Sequence, residues 1–268
     1  MVKTSRVIFL GTAGTAAVAT KQLRSSGGII FQIEDLQFHL DPGPGTIVKA
    51  KELGINLHHT TAILVSDSNI IHCNDVNILV DAMTHGGIEH RGLILASKSV
   101  IQDDVPFLMK HYRNFIEKII PIERDHKVGI ELVEINALSV EQSDPVAIGF
   151  KFFCPKYTLA YTGDTIVTDK LLEELSGTEI LILNVPFPGN KGDDKHLNTE
   201  NAIKIVSHVR PRLVVLTGFG LEMLKADPLS EAREVQRITG VQTIAARDGL
   251  SIAPAGYKEY KSPVRGFD

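Results

Sequence analysis

Cysteine is nearly absent from this 268-residue chain, which has only Cys73 and Cys154. Two isolated thiols exclude a disulfide framework and a cysteine-based zinc site. They read as reduced thiols, and the expected location is cytoplasmic. Long apolar runs are also missing. Val7-Ile8-Phe9-Leu10, which follows Met1–Arg6 directly, is too short for the core of a signal peptide, and nothing further along reaches membrane-span length. No membrane partner is expected. Neither sign of charge is in large excess: 28 Lys and Arg face 32 Asp and Glu, the net charge is −4, and no basic run stands out. That balance argues against nucleic acid as a partner. There is no G-x-S-x-G nucleophile elbow. Gly11-Thr12-Ala13-Gly14 follows a strand-like run without completing a dinucleotide-binding G-x-G-x-x-G. The remaining composition, 43% hydrophobic and 22% charged, is that of a soluble globular protein long enough to bury a full core.

Apolar patterning organises the chain without a linker, a low-complexity tract or an exact repeat. Val7–Leu10 reads as a buried strand, and the runs 28–33 and 36–40 read as a hairpin around Glu34-Asp35. Thr46 to Leu53 should form a helix stopped by Gly54. A strand at 61–65 leads into a polar loop and then a helix over 74–83 that ends near Gly86-Gly87. Phe107, Leu108, His111, Phe115 and Ile116 share one face if 106–119 is an amphipathic helix or capping insert. One strand is expected through Val128, Ile130, Leu132, Val133 and Ile135, then strands at 147–153, 158–161, 180–185 and 213–217. Helices are expected at 170–175, at 199–209 behind an Asn198 or Thr199 cap, and at 230–239, and 241–245 is expected as a last inner strand. This alternation predicts one α/β domain over 1–268, a four-layer αββα sandwich of two mixed sheets flanked by helices.

The most informative segment is Ser66-Asp67-Ser68-Asn69-Ile70-Ile71-His72, just after the strand Thr61–Val65. Phe9–Gly14, Leu40-Asp41-Pro42-Gly43-Pro44-Gly45, Ser143-Asp144-Pro145 with Ile148–Phe150, Tyr161-Thr162-Gly163-Asp164-Thr165 and Leu216-Thr217-Gly218-Phe219-Gly220 follow one another in a set order. In that order they resemble the motifs of the metallo-β-lactamase superfamily, over nearly the whole chain. There the loop after the strand reads S/T-H-x-H-x-D-H, and the last motif is usually L-T-H-F. Two metal ions lower the pKa of a bound water and polarise the scissile group.

The resemblance implies where the ligands belong. The first-metal positions fall on Asp67, Asn69, Gln142 and Asp164. The second-metal positions fall on Ile71, His72, Asp164 and Gly218, with Asp41 in the pocket wall. Ile71 offers a hydrocarbon and Gly218 no side chain, so a stable second zinc is not expected. At the first position the imidazoles are replaced by oxygen donors, a set suited to one hard cation such as Mn²⁺ or Mg²⁺, with Zn²⁺ held at reduced affinity. The competing reading is a vestigial pocket in which these polar groups bond one another and water. If Asp67 and Asp164 face each other without a cation, one carboxyl must hold its proton or a base must intrude. His72, as an imidazolium paired with Asp164, would be that base.

His196 stands where the superfamily's RNA-processing branch carries a proton donor to the leaving group, so it is the candidate general acid, or else a surface histidine at a helix start. His58, His59, His85, His90, His111, His126 and His208 show no ligand spacing with carboxylates and read as core or surface residues. Cys73 adjoins His72, but neighbours on a helix point about 100° apart and make no ready Cys–His pair. Three functions follow from the resemblance: a catalytically inactive member that binds a small molecule or partner, a hydrolase of a phosphoester or ester using one oxygen-ligated cation with His196 as acid, and a structural companion, as a homo-oligomer or beside an active paralogue.

Overall fold

The computed structural model describes residues 5–104 and 106–256. The chain's first four residues, part of the leader reading, and the ends of the expected 1–268 domain lie outside the described residues. Among the described residues, fourteen strands form two seven-stranded sheets. The first contains β1 (Arg6–Phe9), β2 (Ile29–Ile33), β3 (Leu36–Leu40), β4 (Ala62–Val65), β5 (Leu93–Ala96), β6 (Lys118–Pro121) and, at its far edge beside β1, β14 (Ser251–Ile252). The second contains β7 (Lys127–Ile130), β8 (Val133–Ser139), β9 (Ile148–Cys154), β10 (Tyr157–Tyr161), β11 (Ile180–Asn184), β12 (Leu213–Thr217) and β13 (Thr243–Ala245), in that order across the sheet. Strands β3 to β6 run parallel to one another, as do β10 to β13, and the other pairings are antiparallel.

Strand periodicity builds three cores from this arrangement. Alternate side chains of a strand point to opposite faces. Val7 and Phe9 of β1, Phe31 of β2, Ile182 of β11 and Val215 of β12 enter the central core between the sheets. Their sequence neighbours face outward: Ile8 and Ile30 meet Val76, Leu79, Val80 and Met83 of the helix Val76–Thr84. Leu181, Leu183, Val214 and Leu216 meet Ala202, Ile205 and Val206 of the helix Thr199–Val209 and Ala232 and Val235 of the helix Pro228–Thr239. This is the expected helix–sheet–sheet–helix sandwich. The helix Thr199–Val209 starts as its sequence predicts: Asn198 accepts from the Asn201 amide at 2.9 Å and Asn201 returns the bond at 3.2 Å.

Three local expectations differ. Residues 106–119 do not form one helix. A single turn, Lys110–Arg113, is helical, and the chain then extends into β6. Pro121 forces the residue before it into extended geometry, and the β-branched pair Ile119-Ile120 suits a strand. The run from Val128 to Ile135 is two strands, because the apolar parity shifts between Leu132 and Val133. Glu131, at φ 50°, makes the turn that pairs Ile130 with Val133. The strand at 241–245 is shorter, Thr243–Ala245, and lies at the sheet's edge rather than inside it.

Candidate functional site

The carboxyl ends of the parallel strands of both sheets converge on one polar cluster, the usual place for ligands in α/β sheets. Asp41 follows β3, Ser66 and Asp67 follow β4, Asp164 follows β10, Asn184 ends β11 and Gly218 follows β12. Asp41 lies at the base. Its carboxylate accepts from the Ser66 amide, the Ser66 hydroxyl and the Tyr161 hydroxyl, each at 2.8 Å. Burial pushes the Asp41 carboxyl up to about 6, against the pull of nearby His72. The Asp41-Pro42-Gly43 loop presses against the loop above it. A Cβ at Gly43 would sit 1.8 Å from the Ile71 carbonyl oxygen, so only glycine fits.

His72 occupies the centre. It sits in the short helix Ile70–Cys73, which directs its ring inward. Its Nδ1 is 3.0 Å from both oxygens of Asp67, and its Nε2 is 3.9 Å from Asp164. Asp67 also accepts from the Gln142 side-chain amide at 2.8 Å, the Asn69 backbone amide at 2.8 Å and, more weakly, the Ser66 hydroxyl at 3.3 Å. Asp164 accepts from Asn184 Nδ2 at 3.2 Å. Burial by itself would strip His72 of its proton, but the carboxylates of Asp67, Asp164 and Asp41 together outweigh it and hold the imidazole well above its ordinary value. Burial raises Asp67 in the same way. His72 and the donated N–H bonds overcome that and bring its carboxyl below the usual range. Asp164 remains raised, by burial and by Asp67. The arrangement therefore favours an imidazolium held by an ionised Asp67, while burial keeps the Asp41 and Asp164 carboxyls above the usual carboxylate range.

The expected ligand positions therefore divide. Asp67, His72 and Asp164 are brought together, with one ligating atom from each within 4.8 Å of the others. His72 pairs chiefly with Asp67 rather than with Asp164. Gln142 joins them through its amide nitrogen, as a donor. Asn69 does not join. Its side chain is exposed and its Oδ1 caps the helix Ile70–Cys73 by accepting from the Ile71 amide at 3.3 Å. Ile71 is buried and provides no donor. Gly218 adopts φ 66°, and a Cβ there would meet Asn184 at 2.8 Å. Asn184 thus takes the volume into which a histidine at that position would project. The cavity left among Asp41, His72, Asn184 and Gly218 measures about 30 Å³, the space of one water molecule.

His196 lies at the rim, one quarter exposed, with Nε2 3.9 Å from Asp164. Asp193 holds its Nδ1 at 2.8 Å, and the Phe187 ring packs edge-on against it. Beside Gln142 a groove of about 690 Å³ opens, lined by Ser68, Asn69, Ser99, Gln102, Ser143 and Asp144 among others. Cys73 faces the outer core and burial pushes its thiol upward, so it is no nucleophile here. Asp75 caps the helix Thr46–Glu52 by accepting from the Gly45 and Thr46 amides. Sequence reasoning placed the loop from Asn184 to Lys195 along the cleft but gave Tyr161, Asn184 and Asp193 no role of their own in the cluster. Asn184 had left a signal, being the one polar residue closing the apolar run Ile180–Leu183. Asp193 had left another, three residues before His196.

Two mixed sheets between helices, with this cluster at the strand ends, define the metallo-β-lactamase sandwich. The sequence matches the beta-lactamase superfamily domain over residues 37–219. MJ1374, an uncharacterized protein of Methanocaldococcus jannaschii, is 30% identical over 251 residues, covering 92% of this chain and 94% of that protein. The chain belongs to the beta-lactamase superfamily. Among solved structures, the metallo-beta-lactamase fold protein YhfI from Bacillus subtilis superposes with a TM-score of 0.78 at 18% identity, covering 93% of this chain and 99% of that one. A diphosphatase from the PhnP family superposes with a TM-score of 0.67 at 18% identity over 94% and 98%. At these identities the likeness is one of fold. Among the described residues no helix is long and apolar enough to cross a membrane.

Proposed function

We propose that this member of the superfamily has lost di-zinc hydrolysis and binds a small polar ligand in the groove beside Gln142. The carrying observation is the closure of the Asp67–His72–Asp164 cluster. A protonated imidazole stands among carboxylates that in a binuclear centre would face metal ions, while Ile71 and Gly218 offer no donor and Asn184 fills the space behind. A metal pair does not fit these residues. The hydroxyls and amides of Ser68, Asn69, Ser99, Gln102 and Gln142 suit a ligand rich in hydrogen-bonding groups. One domain over residues 1–268 and a cytoplasmic location, consistent with two unpaired thiols, belong to the same reading.

A second reading rests on a different observation. Asp67, His72 and Asp164 already converge, and His196 stands next to Asp164 with Asp193 fixing its ring. One divalent cation such as Mn²⁺ would find two carboxylates and an imidazole there, and would supply Lewis acidity to a bound phosphoester. His196, with Nδ1 held by Asp193, would present Nε2 as the acid. The likeness to a diphosphatase fold supports a phosphate-containing substrate for this reading.

Phosphodiester and diphosphate hydrolysis, assayed with Zn²⁺, Mn²⁺ and Mg²⁺ against an Asp164→Asn control, separates the two. The first reading expects no hydrolysis and no metal uptake that depends on Asp164. Turnover lost in both Asp164→Asn and His196→Ala would establish the second. Two zinc ions bound through Asp164, with turnover, would overturn the first outright.

A further inference from the structure

The opposite end of β4 carries a second group of ligating side chains. His58 lies in the 3-10 turn Leu57–His59, whose cap Asn56 accepts from the His58 amide at 3.1 Å. His85 ends the helix Val76–Thr84 at φ 50°, and Gly86 and Gly87 follow at φ 69° and 80°. Three left-handed residues in succession reverse the chain, and the Glu89 amide bonds the Thr84 carbonyl at 3.0 Å. Glu89 is thereby brought back beside His85. The His58 and His85 rings stack at 3.8 Å and 1°. Glu89 Oε2 is 3.0 Å from His58 Nε2, and Oε1 is 3.4 Å from His85 Nδ1.

The hydrogen bonding of this group is contested. Arg91 also lies 3.2 Å from His58 Nε2, while donating to the His58 carbonyl at 2.8 Å. One ring nitrogen cannot donate to Glu89 and accept from Arg91 at once. Two stacked rings cannot both be protonated without repulsion. A divalent cation bound by neutral rings would relieve both conflicts, with the Arg91 guanidinium, 3.8 Å from Glu89 Oε2, remaining as a neighbouring charge. Neutral rings would offer it lone pairs, Glu89 would offer its carboxylate, and Arg91 would keep its carbonyl. Each ring nitrogen lies near an oxygen of the one Glu89 carboxylate, and one ligating atom of each of the three residues is within 4.8 Å of the others, close enough to converge on a single tetrahedral ion. The stacked rings aim their lone pairs in parallel planes, so His85, which is 56% exposed, would turn off the stack to reach the same ion. Two imidazoles and a carboxylate favour Zn²⁺ and its neighbours over Mg²⁺ or Ca²⁺.

We infer that His58, His85 and Glu89 form a Zn²⁺ site, separate from the superfamily centre, with its fourth position open to the adjoining groove of about 490 Å³. Ile47, Ile55 and Ala82 give that groove apolar walls.

Co²⁺ titration of the full chain tests the site, because tetrahedral Co²⁺ has visible bands of its own. One equivalent should produce these bands, and Zn²⁺ should displace it. Glu89→Gln and His85→Asn should weaken uptake at least about tenfold, and Asp164→Asn should leave it unchanged. Asparagine tolerates the left-handed backbone at this position, and circular dichroism checks that each variant is folded. Bands that persist in Glu89→Gln and His85→Asn, bands that vanish in Asp164→Asn, or no uptake at all would each overturn the assignment.

Discussion

Two groups of histidine and carboxylate flank β4, and they solve opposite problems. The Asp67 group after the strand is buried, with Asp67 fully enclosed and Asp164 2% exposed. A charge without water must find its partners within the fold, and Asp67 does so with His72, Gln142, Ser66 and Asn69. The His58 group before the strand is about half in solvent, so water and ions can reach its ring nitrogens and carboxylate. The same residue types make a closed electrostatic lock in one place and an open ligand set in the other. Burial decides which, since it sets the cost of leaving a donor or acceptor unmet.

The comparison is broken most severely at His72. Replacing it with alanine leaves Asp67 buried without its cation, and urea denaturation should show a loss of about 3–5 kcal/mol. A second buried imidazole sharpens the point by contrast. His39 is fully buried, donates through Nε2 to the Gly27 carbonyl at 2.9 Å, and burial lowers it to about 4. It binds its proton less readily folded than unfolded. Its contribution is therefore complete above its ordinary value of 6.5 and is lost as pH falls toward about 4, a difference of about 3 kcal/mol. His72 has the reverse sign: its pKa is raised, so its contribution is present at low pH and lost as pH rises through the folded value. Stability against pH for His39→Gln should lack the loss between pH 6.5 and 4 that the parent chain shows.

Gly218→Ala tests whether the second-metal volume is closed. The left-handed backbone and the contact with Asn184 should together cost about 2–3 kcal/mol in thermal or urea unfolding. A neutral outcome would mean that Asn184 yields and the volume is open. The smallest effect is expected at His85→Asn, within about 0.5 kcal/mol, because an exposed residue outside the core carries little of the stability. A loss as large as that of His72→Ala would erase the distinction between the two groups.

Much of this was legible in the chain itself. Six ordered motifs pointed to the sandwich, and the lack of a donor atom at Ile71 and Gly218 was legible too, because whether a side chain has a donor atom is a property of the residue alone. Continuous apolar runs, such as Ile180–Leu183, were legible nearly to the residue as buried strands. The segment 106–119 was misread because its apolar spacing suits a helix while Pro121 and two β-branched neighbours favour extension. Asn69 looked like a ligand because its place in the motif is a ligand's place. Its short side chain instead closes the ring to the Ile71 amide, a bond available two residues away at less cost than reaching into the pocket.

What the sequence determined is therefore the architecture and the inventory of donors, both set by local chemistry and periodicity. The tertiary structure decided what those donors face. His72 turns to Asp67, Gln142 presents its nitrogen, Asn184 fills the place beside Gly218, and His58 meets a carboxylate 31 positions away. Such meetings depend on the register of strands and the pitch of turns far apart in the chain, and at hydrogen-bond distances a shift of one ångström changes a partner into a bystander.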